Sequence, residues 1–356
     1  MPWPARFALV LLLLLAGPAR AQPQAAQPFA VLDTNAVPRL AAGAQRESYA
    51  RFTRQNLPRA AVLAPDGRLF WAAGLGPPPA REPPLARALA QCNAHGSGEC
   101  QLYAQDLDVV WPGRAPERRA APGFAISSIT HEIVADRNFL YWGPAVAAGV
   151  VVWAHGYGGS QADARGVQPP SFLRWFNNAG FDVFRFDRHP NSDGEYARVT
   201  RWLVEDLPKL RAAGYRQVVV GGQSRGAFNA LEITAHPGLA EVVIAAVPGF
   251  GGGTNTGQNP YWHRKTEIFR DMIGRARPGN MRVALLQFAD DPYDHDPVER
   301  ARAVTEGLRG RVAATLVIDR PEGFSGHGAA SHWRFGDRYG ACLLRFATAT
   351  PPPAAC

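Results

Sequence analysis

The larger part of this chain is predicted to be an α/β fold with a doubly wound, mostly parallel sheet of eight strands, and three observations carry that prediction. From residue 123 onward, apolar β-branched runs alternate with amphipathic windows, the pattern of parallel strands joined by crossover helices. The run Val218-Val219-Val220 breaks at Gly222-Gln223-Ser224-Arg225-Gly226 and passes straight into a helix-favouring sequence. A second run, Gly149 to Ala154, feeds the glycine-rich turn His155-Gly156-Tyr157-Gly158-Gly159.

Strands are expected near residues 124–130, 139–142, 149–154, 182–187, 216–221, 241–247, 282–288 and 314–319. Helical windows fall at 171–179, 195–213, 227–235, 264–275, 297–308 and 331–347. These elements fill residues 123–347 and leave little room for a lid. Only the segment from Gly251 to His263 offers one, and its Tyr261 and Trp262 are candidate borders of a substrate pocket.

Ahead of this region, residues 22–111 read as a small α+β module. A hairpin over 58–72 turns at Pro65-Asp66-Gly67, a helix spans 82–91, and a strand returns from Cys100 through Trp111. A Pro-rich linker, 112–122, joins the two parts, and a short tail, 348–356, follows the last helix. The module names no activity by itself. A cap on the larger domain, a passive spacer and a binding role all fit it.

The break at Ser224 has the form of a nucleophile elbow. So tight a turn forces Ser224 into a strained conformation, and Gly222 and Gly226 flank it because a Cβ at either position would strike the neighbouring strand or helix. The strain lifts Oγ out of the sheet. It also leaves the Arg225 N–H at a helix N-terminus, able to meet a developing oxyanion. The pentapeptide alone is common, so the context decides. Upstream, the backbone N–H of Tyr157 is the expected second oxyanion donor, its side chain is a pocket candidate, and His155 is read as a loop brace. No Gly-Lys-Ser/Thr follows these glycines, which argues against a phosphate cradle.

Downstream, the strand ending at Ala289 opens into Asp290-Asp291-Pro292-Tyr293-Asp294-His295-Asp296. Asp291 is the expected carboxylate partner of a catalytic histidine, with Asp290 the runner-up. The spacing is not that of a calcium loop, and no metal is assigned. After the last strand, His327 stands between Gly326 and Gly328 on a loop free to swing over Ser224, which makes it the expected general base. His332 is the alternative, although it opens the final helix beside Trp333, a place more usual for packing. Ser224, Asp291 and His327 occur in the order Ser, Asp, His.

With these residues in hand, the stretch from Phe124 to Ala347 resembles the α/β-hydrolase superfamily, and its elbow and His-Gly-Tyr-Gly-Gly loop look most like dienelactone-hydrolase-like and esterase-like bacterial members. Serine at the elbow, where dienelactone hydrolases carry cysteine, implies an ordinary acyl-enzyme. The front piece is similar to a small module of bacterial extracytoplasmic proteins, with its Trp71-x-x-Gly74 strand, Ala-rich helix and cysteine pair. The resemblance implies a serine hydrolase acting on a small-molecule ester without a cofactor. A peptidase or amidase and a catalytically silent binding protein are the competing readings. No arginine or carboxylate clamp for a peptide terminus is evident, which favours small acyl esters.

The N-terminus reads as a secretory signal peptide over residues 1–21: Arg6, an apolar stretch from Phe7 to Ala16, and an Ala19-Arg20-Ala21 cleavage site before Gln22. No later window approaches a membrane-spanning length, so no integral segment is expected after cleavage. The expected destination is the periplasm or the exterior. Four cysteines form two local sets, and Cys92–Cys100 and Cys342–Cys356 is the favoured of three pairings. The net charge of +8 is almost all arginine, with lysine only at 209 and 265, and it is scattered among acidic residues. Nucleic-acid binding is therefore not expected, and the sequence is silent on oligomeric state.

Overall fold

The structure is a computed structural model that describes residues 29–38, 40, 43–112, 122–157, 163–192, 194–250, 264–294 and 296–356. The expected signal segment, nearly all of the Pro-rich linker, and Tyr261 and Trp262 lie outside the described residues.

An eight-stranded sheet forms the centre. Its strands are β5 (Ala125–Ser127), β6 (His131–Ala135), β7 (Gly149–Ala154), β8 (Phe181–Arg188), β9 (Val218–Gln223), β10 (Val242–Ala246), β11 (Arg282–Gln287) and β12 (Ala314–Asp319). They run in the order β12-β11-β10-β9-β7-β8-β6-β5. The six from β12 to β8 are parallel, and β6 and β5 continue antiparallel at one edge. This is the strand order of the α/β-hydrolase fold, with a single exchange between β7 and β8.

Both faces of the central strands are buried, which is why they read as continuous apolar runs. Alternate residues take opposite sides. Val150, Val152, Val218, Val220 and Val243 pack with α4 (Tyr196–Ala212), α5 (Arg225–Glu232), α6 (Lys265–Gly274) and α7 (Pro297–Gly307). Val151, Val219, Val242, Ile244 and Leu286 face α3 (Leu173–Asn178) and α8 (Trp333–Thr348). Among the described residues no helix is long and apolar enough to cross a membrane.

One strand expectation in this sheet is corrected. Residues 139–142 form a loop, although Phe139 and Leu140 are buried. Its backbone is satisfied by side chains: Asn177 Oδ1 accepts from the Leu140 N–H and Asp182 Oδ1 from the Trp142 N–H. The second strand is instead β6, whose His131 and Glu132 ends disguise a pairing that centres on buried Ile133.

A second sheet of four antiparallel strands lies near the N-terminus, ordered β2-β1-β3-β4: β1 (Arg59–Leu63), β2 (Leu69–Ala73), β3 (Gln101–Gln105) and β4 (Asp108–Val109). The return expected as one strand from Cys100 to Trp111 is thus a hairpin, turned at Asp106 with φ 54. Helix α1 (Ala44–Thr53) contributes Tyr49 and Phe52 to one face, while α2 (Pro84–His95) contributes Ala88 and Cys92 to the other. Cys92 is bonded to Cys100 and Cys342 to Cys356. The wholly buried Arg59 guanidinium donates from Nη1 to the carbonyls of Phe52 (3.0 Å) and Gln55 (2.9 Å), closing the C-terminal end of α1.

Candidate active site

Ser224 stands between the end of β9 and the first residue of α5, with φ 55 and ψ −119. Backbone strain of this kind persists only where the surroundings fix it. Here Ser224 donates its N–H to the Ala246 carbonyl at 2.9 Å, and its own carbonyl accepts from Phe228 (3.1 Å) and Gly249 (3.0 Å). A Cβ on Gly222 would lie 2.6 Å from the Gly226 carbonyl oxygen and 2.7 Å from that of Ala154. One on Gly226 would lie 2.6 Å from the His155 carbonyl oxygen. Only glycine fits at either position.

The parallel register of β11 and β12 brings the other two residues together. Beyond the pair Gln287 and Asp319, the chains stay side by side through a bridge between Ala289 and Ser325, where Gly326 donates its N–H to the Ala289 carbonyl at 2.7 Å. Two residues further along each chain are Asp291 and His327. The imidazole Nδ1 meets both carboxylate oxygens, at 2.9 and 3.0 Å. The Asp291 side chain is only 3% exposed and also accepts the Tyr293 N–H at 2.9 Å. A buried carboxylate on Nδ1 fixes the tautomer that leaves Nε2 unprotonated. The Tyr293 ring lies 4.5 Å from the imidazole, and the His327 carbonyl accepts from Gln223 Nε2 at 3.0 Å, which ties the histidine loop to the residue before Ser224.

Asp290 and His332, the alternatives for these roles, and the neighbouring Asp294 and His155 are placed elsewhere. Asp290 is exposed at φ 56. Buried Asp294 pairs with Arg300 Nε at 3.1 Å, and Arg300 Nη1 reaches the Pro248 carbonyl at 2.6 Å, so this pair staples α7 to the loop after β10. His332 caps α8 by accepting the Arg334 N–H at 3.2 Å. His155 braces its loop: Nε2 accepts the Arg188 N–H at 3.1 Å and Nδ1 bonds the Gly156 carbonyl at 2.6 Å. Burial, helped by the Arg188 cation, drives the His155 pKa down to about 3 and keeps the ring neutral.

Ser224 and His327 open onto one cavity of about 680 Å³, which Gly156, Tyr157 and the Arg225 side chain also line. It sits at the carboxyl ends of the strands, where open α/β sheets bind ligands. The Arg225 guanidinium lies 5.3 Å from the rings of both Tyr157 and Tyr196. Trp153, Tyr196, Phe250 and Tyr293 are lining residues that the sequence did not single out. Of these only Tyr293 carried a signal, its place in the Asp291 loop.

No protein-family model matches this chain, and no curated protein matches it either. Solved structures do. An esterase of Pyrococcus furiosus is 17% identical over 57% of this chain and 82% of its own, with a TM-score of 0.42. Est1E from Butyrivibrio proteoclasticus is 12% identical over 60% of this chain and 92% of its own, at 0.41. Brefeldin A esterase, a bacterial homologue of human hormone-sensitive lipase, is 15% identical over 60% and 70%, at 0.40. The α/β-hydrolase fold of this chain is given by its own strand order, with Ser224 at the turn after β9.

Proposed function

We propose that this protein is an exported serine hydrolase that cleaves a carboxylic ester of a small molecule. One observation carries the reading: Ser224, on a strained turn, and His327, held through Nδ1 by buried Asp291, line the same cavity. Ser224 Oγ attacks the ester carbonyl carbon while His327 Nε2 takes the hydroxyl proton, and the imidazolium so formed is stabilised by Asp291. The negative charge on the carbonyl oxygen is met by the backbone N–H groups of Tyr157 and Arg225. As the carbon–oxygen bond to the alcohol breaks, His327 passes its proton to the departing oxygen. Water then attacks the acyl-enzyme with His327 again as base, which releases the acid and restores Ser224. Besides the ester, water is the one co-reactant that balances these steps.

Export rests on the N-terminal sequence, and the two disulfides are consistent with an oxidising compartment. A mature chain starting at Gln22, read by intact mass, checks it; an unprocessed N-terminus contradicts it.

The reading is tested on matched substrates. Short-chain p-nitrophenyl esters are expected to be hydrolysed at least tenfold better in kcat/KM than the corresponding p-nitroanilides, because an amine leaving group demands fuller protonation by His327. Equal or better cleavage of the anilides would move the assignment to an amidase. Turnover of neither, with Ser224 unlabelled by a fluorophosphonate, would move it to a binding protein.

A further inference from the structure

One wall of the cavity is built from a loop, and that loop is held by the N-terminal sheet. Val167, Gln168 and Pro170 line the cavity. Gln168 faces both ways: its Oε1 accepts the Leu57 N–H at 2.9 Å and Arg174 Nη2 at 3.2 Å, and its Nε2 donates to the Leu57 carbonyl at 3.4 Å. One residue earlier, Asn56 Nδ2 donates to the Pro169 carbonyl at 3.0 Å, while Asn56 Oδ1 accepts from Arg174 Nε at 3.2 Å. Arg174 is itself fully buried, over the Phe139 ring at 3.9 Å, with Nη1 on the Asn138 carbonyl at 2.6 Å. The turn that carries Asn56 and Leu57 is fixed from behind by Arg59, which closes the end of α1.

Further contacts place the same end of α1 against α3. Asn178 Nδ2 reaches Thr53 Oγ1 at 3.2 Å, and the Arg54 guanidinium lies 4.2 Å from the Trp175 ring. These contacts dock the unit as a whole, whereas Asn56 and Leu57 hold the cavity wall itself. On the other side the loop has the bond from the Gly166 N–H to Asp187 Oδ2 at 3.2 Å.

We propose that the Asn56–Leu57 turn of the N-terminal sheet unit is a positioning element that sets which ester groups the cavity accepts, acting through Gln168 and Pro169. The inference rests on the esterase reading above. It assigns the N-terminal unit a part in specificity that neither a passive spacer nor a cap over the cleft would have. Asn56 does not touch the cavity, so its effect is on binding of groups long enough to reach the wall and not on the chemical step.

The test is steady-state kinetics of full-length mature Asn56→Ala and Asn56→Asp on p-nitrophenyl esters from acetate to octanoate. Asn56→Asp keeps an acceptor for Arg174 and replaces the bond to Pro169 with a carboxylate oxygen facing the Pro169 carbonyl, which breaks the tether, so it carries the test if Asn56→Ala fails to fold. Both are expected to raise KM for the octanoate at least fivefold, with kcat on it and KM for the acetate within twofold of wild type. Gln168→Leu, nearly isosteric but without the bonds to Leu57 and Arg174, is expected to raise the octanoate KM at least as much. An acyl-length profile unchanged in the Asn56 variants overturns the proposal, and so does an equal loss of kcat on every ester. Hydrogen exchange over residues 164–170, expected to quicken in Asn56→Asp, reads the tether without any substrate. If the wild type turns over no ester while exchange still quickens, the esterase reading falls and the tether stands; unchanged exchange removes the tether.

Discussion

Gly249→Ala separates activity from stability in a way that follows directly from the geometry at the elbow. Gly249 is anchored by donating its N–H to the Ser224 carbonyl at 3.0 Å, and a Cβ built on it would stand 2.9 Å from Ser224 Oγ. The next nearest atom, Ser224 Cα, is at 3.7 Å, an ordinary contact. Among the described residues the methyl therefore collides with one hydroxyl and nothing else. A serine χ1 rotation relieves that collision for about 1 kcal/mol or less, and removing a glycine stiffens the unfolded chain by a comparable amount, so the melting temperature should move by only a few degrees. Catalysis has no such escape. A reacting oxygen displaced by about an ångström costs on the order of a hundredfold in rate, equivalent to about 2.7 kcal/mol of transition-state stabilisation. The assay is kcat/KM on a p-nitrophenyl ester together with calorimetric unfolding of the same preparation. A variant with wild-type turnover would refute the placement of Oγ, and one that unfolds far earlier would refute the claim that the hydroxyl is the only obstacle. Gly226→Ala is the contrast, since its methyl meets backbone carbonyl oxygens that have nowhere to go.

Two further outcomes are expected. Asp291→Asn should lower kcat by about a thousandfold or more by favouring the wrong imidazole tautomer, whereas Asp290→Asn, at an exposed position, should cost little; steady-state kinetics of the pair decides, and a more sensitive Asp290 would contradict the assignment. Acid stability should carry the mark of His155: its folded pKa, near 3, lies below its unfolded value of about 6.5, so the unfolded chain binds the extra proton and stability is lost as pH falls through that window. Chemical denaturation at several pH values should show the wild type losing up to about 1.4 kcal/mol per pH unit more than His155→Asn between those limits, and parallel profiles would show that the ring is not held neutral.

The elbow was legible because its constraints are local: strand, two glycines, serine and helix fall within 14 consecutive residues, 218–231. That Asp291 and His327 would come together was legible for a related reason, as each lies on the loop just past the end of a strand whose apolar run is plain. What escaped depends on distant partners. The Phe139 to Trp142 run is apolar enough for a strand, yet Asn177 and Asp182 satisfy its backbone and release it from the sheet. Helix α1 buries only Tyr49, Phe52 and Thr53, too narrow a stripe to stand out in a sequence read alone. The cavity wall at Gln168 owes its position to Leu57, 111 residues earlier, through bonds that leave no mark in either local sequence. Arg225 was read for its backbone N–H, and the direction of its side chain follows from Tyr157 and Tyr196, which local spacing does not bring together.

The central claim, that Ser224 is a nucleophile activated by His327, is tested most directly by treating the mature protein with an alkyl fluorophosphonate and mapping the adduct by peptide mass spectrometry. The account predicts a single phosphonyl group on Ser224, absent from Ser224→Ala and formed at least a hundredfold more slowly in His327→Ala. An unmodified Ser224 in folded wild-type protein, or an adduct that survives in Ser224→Ala, would contradict it.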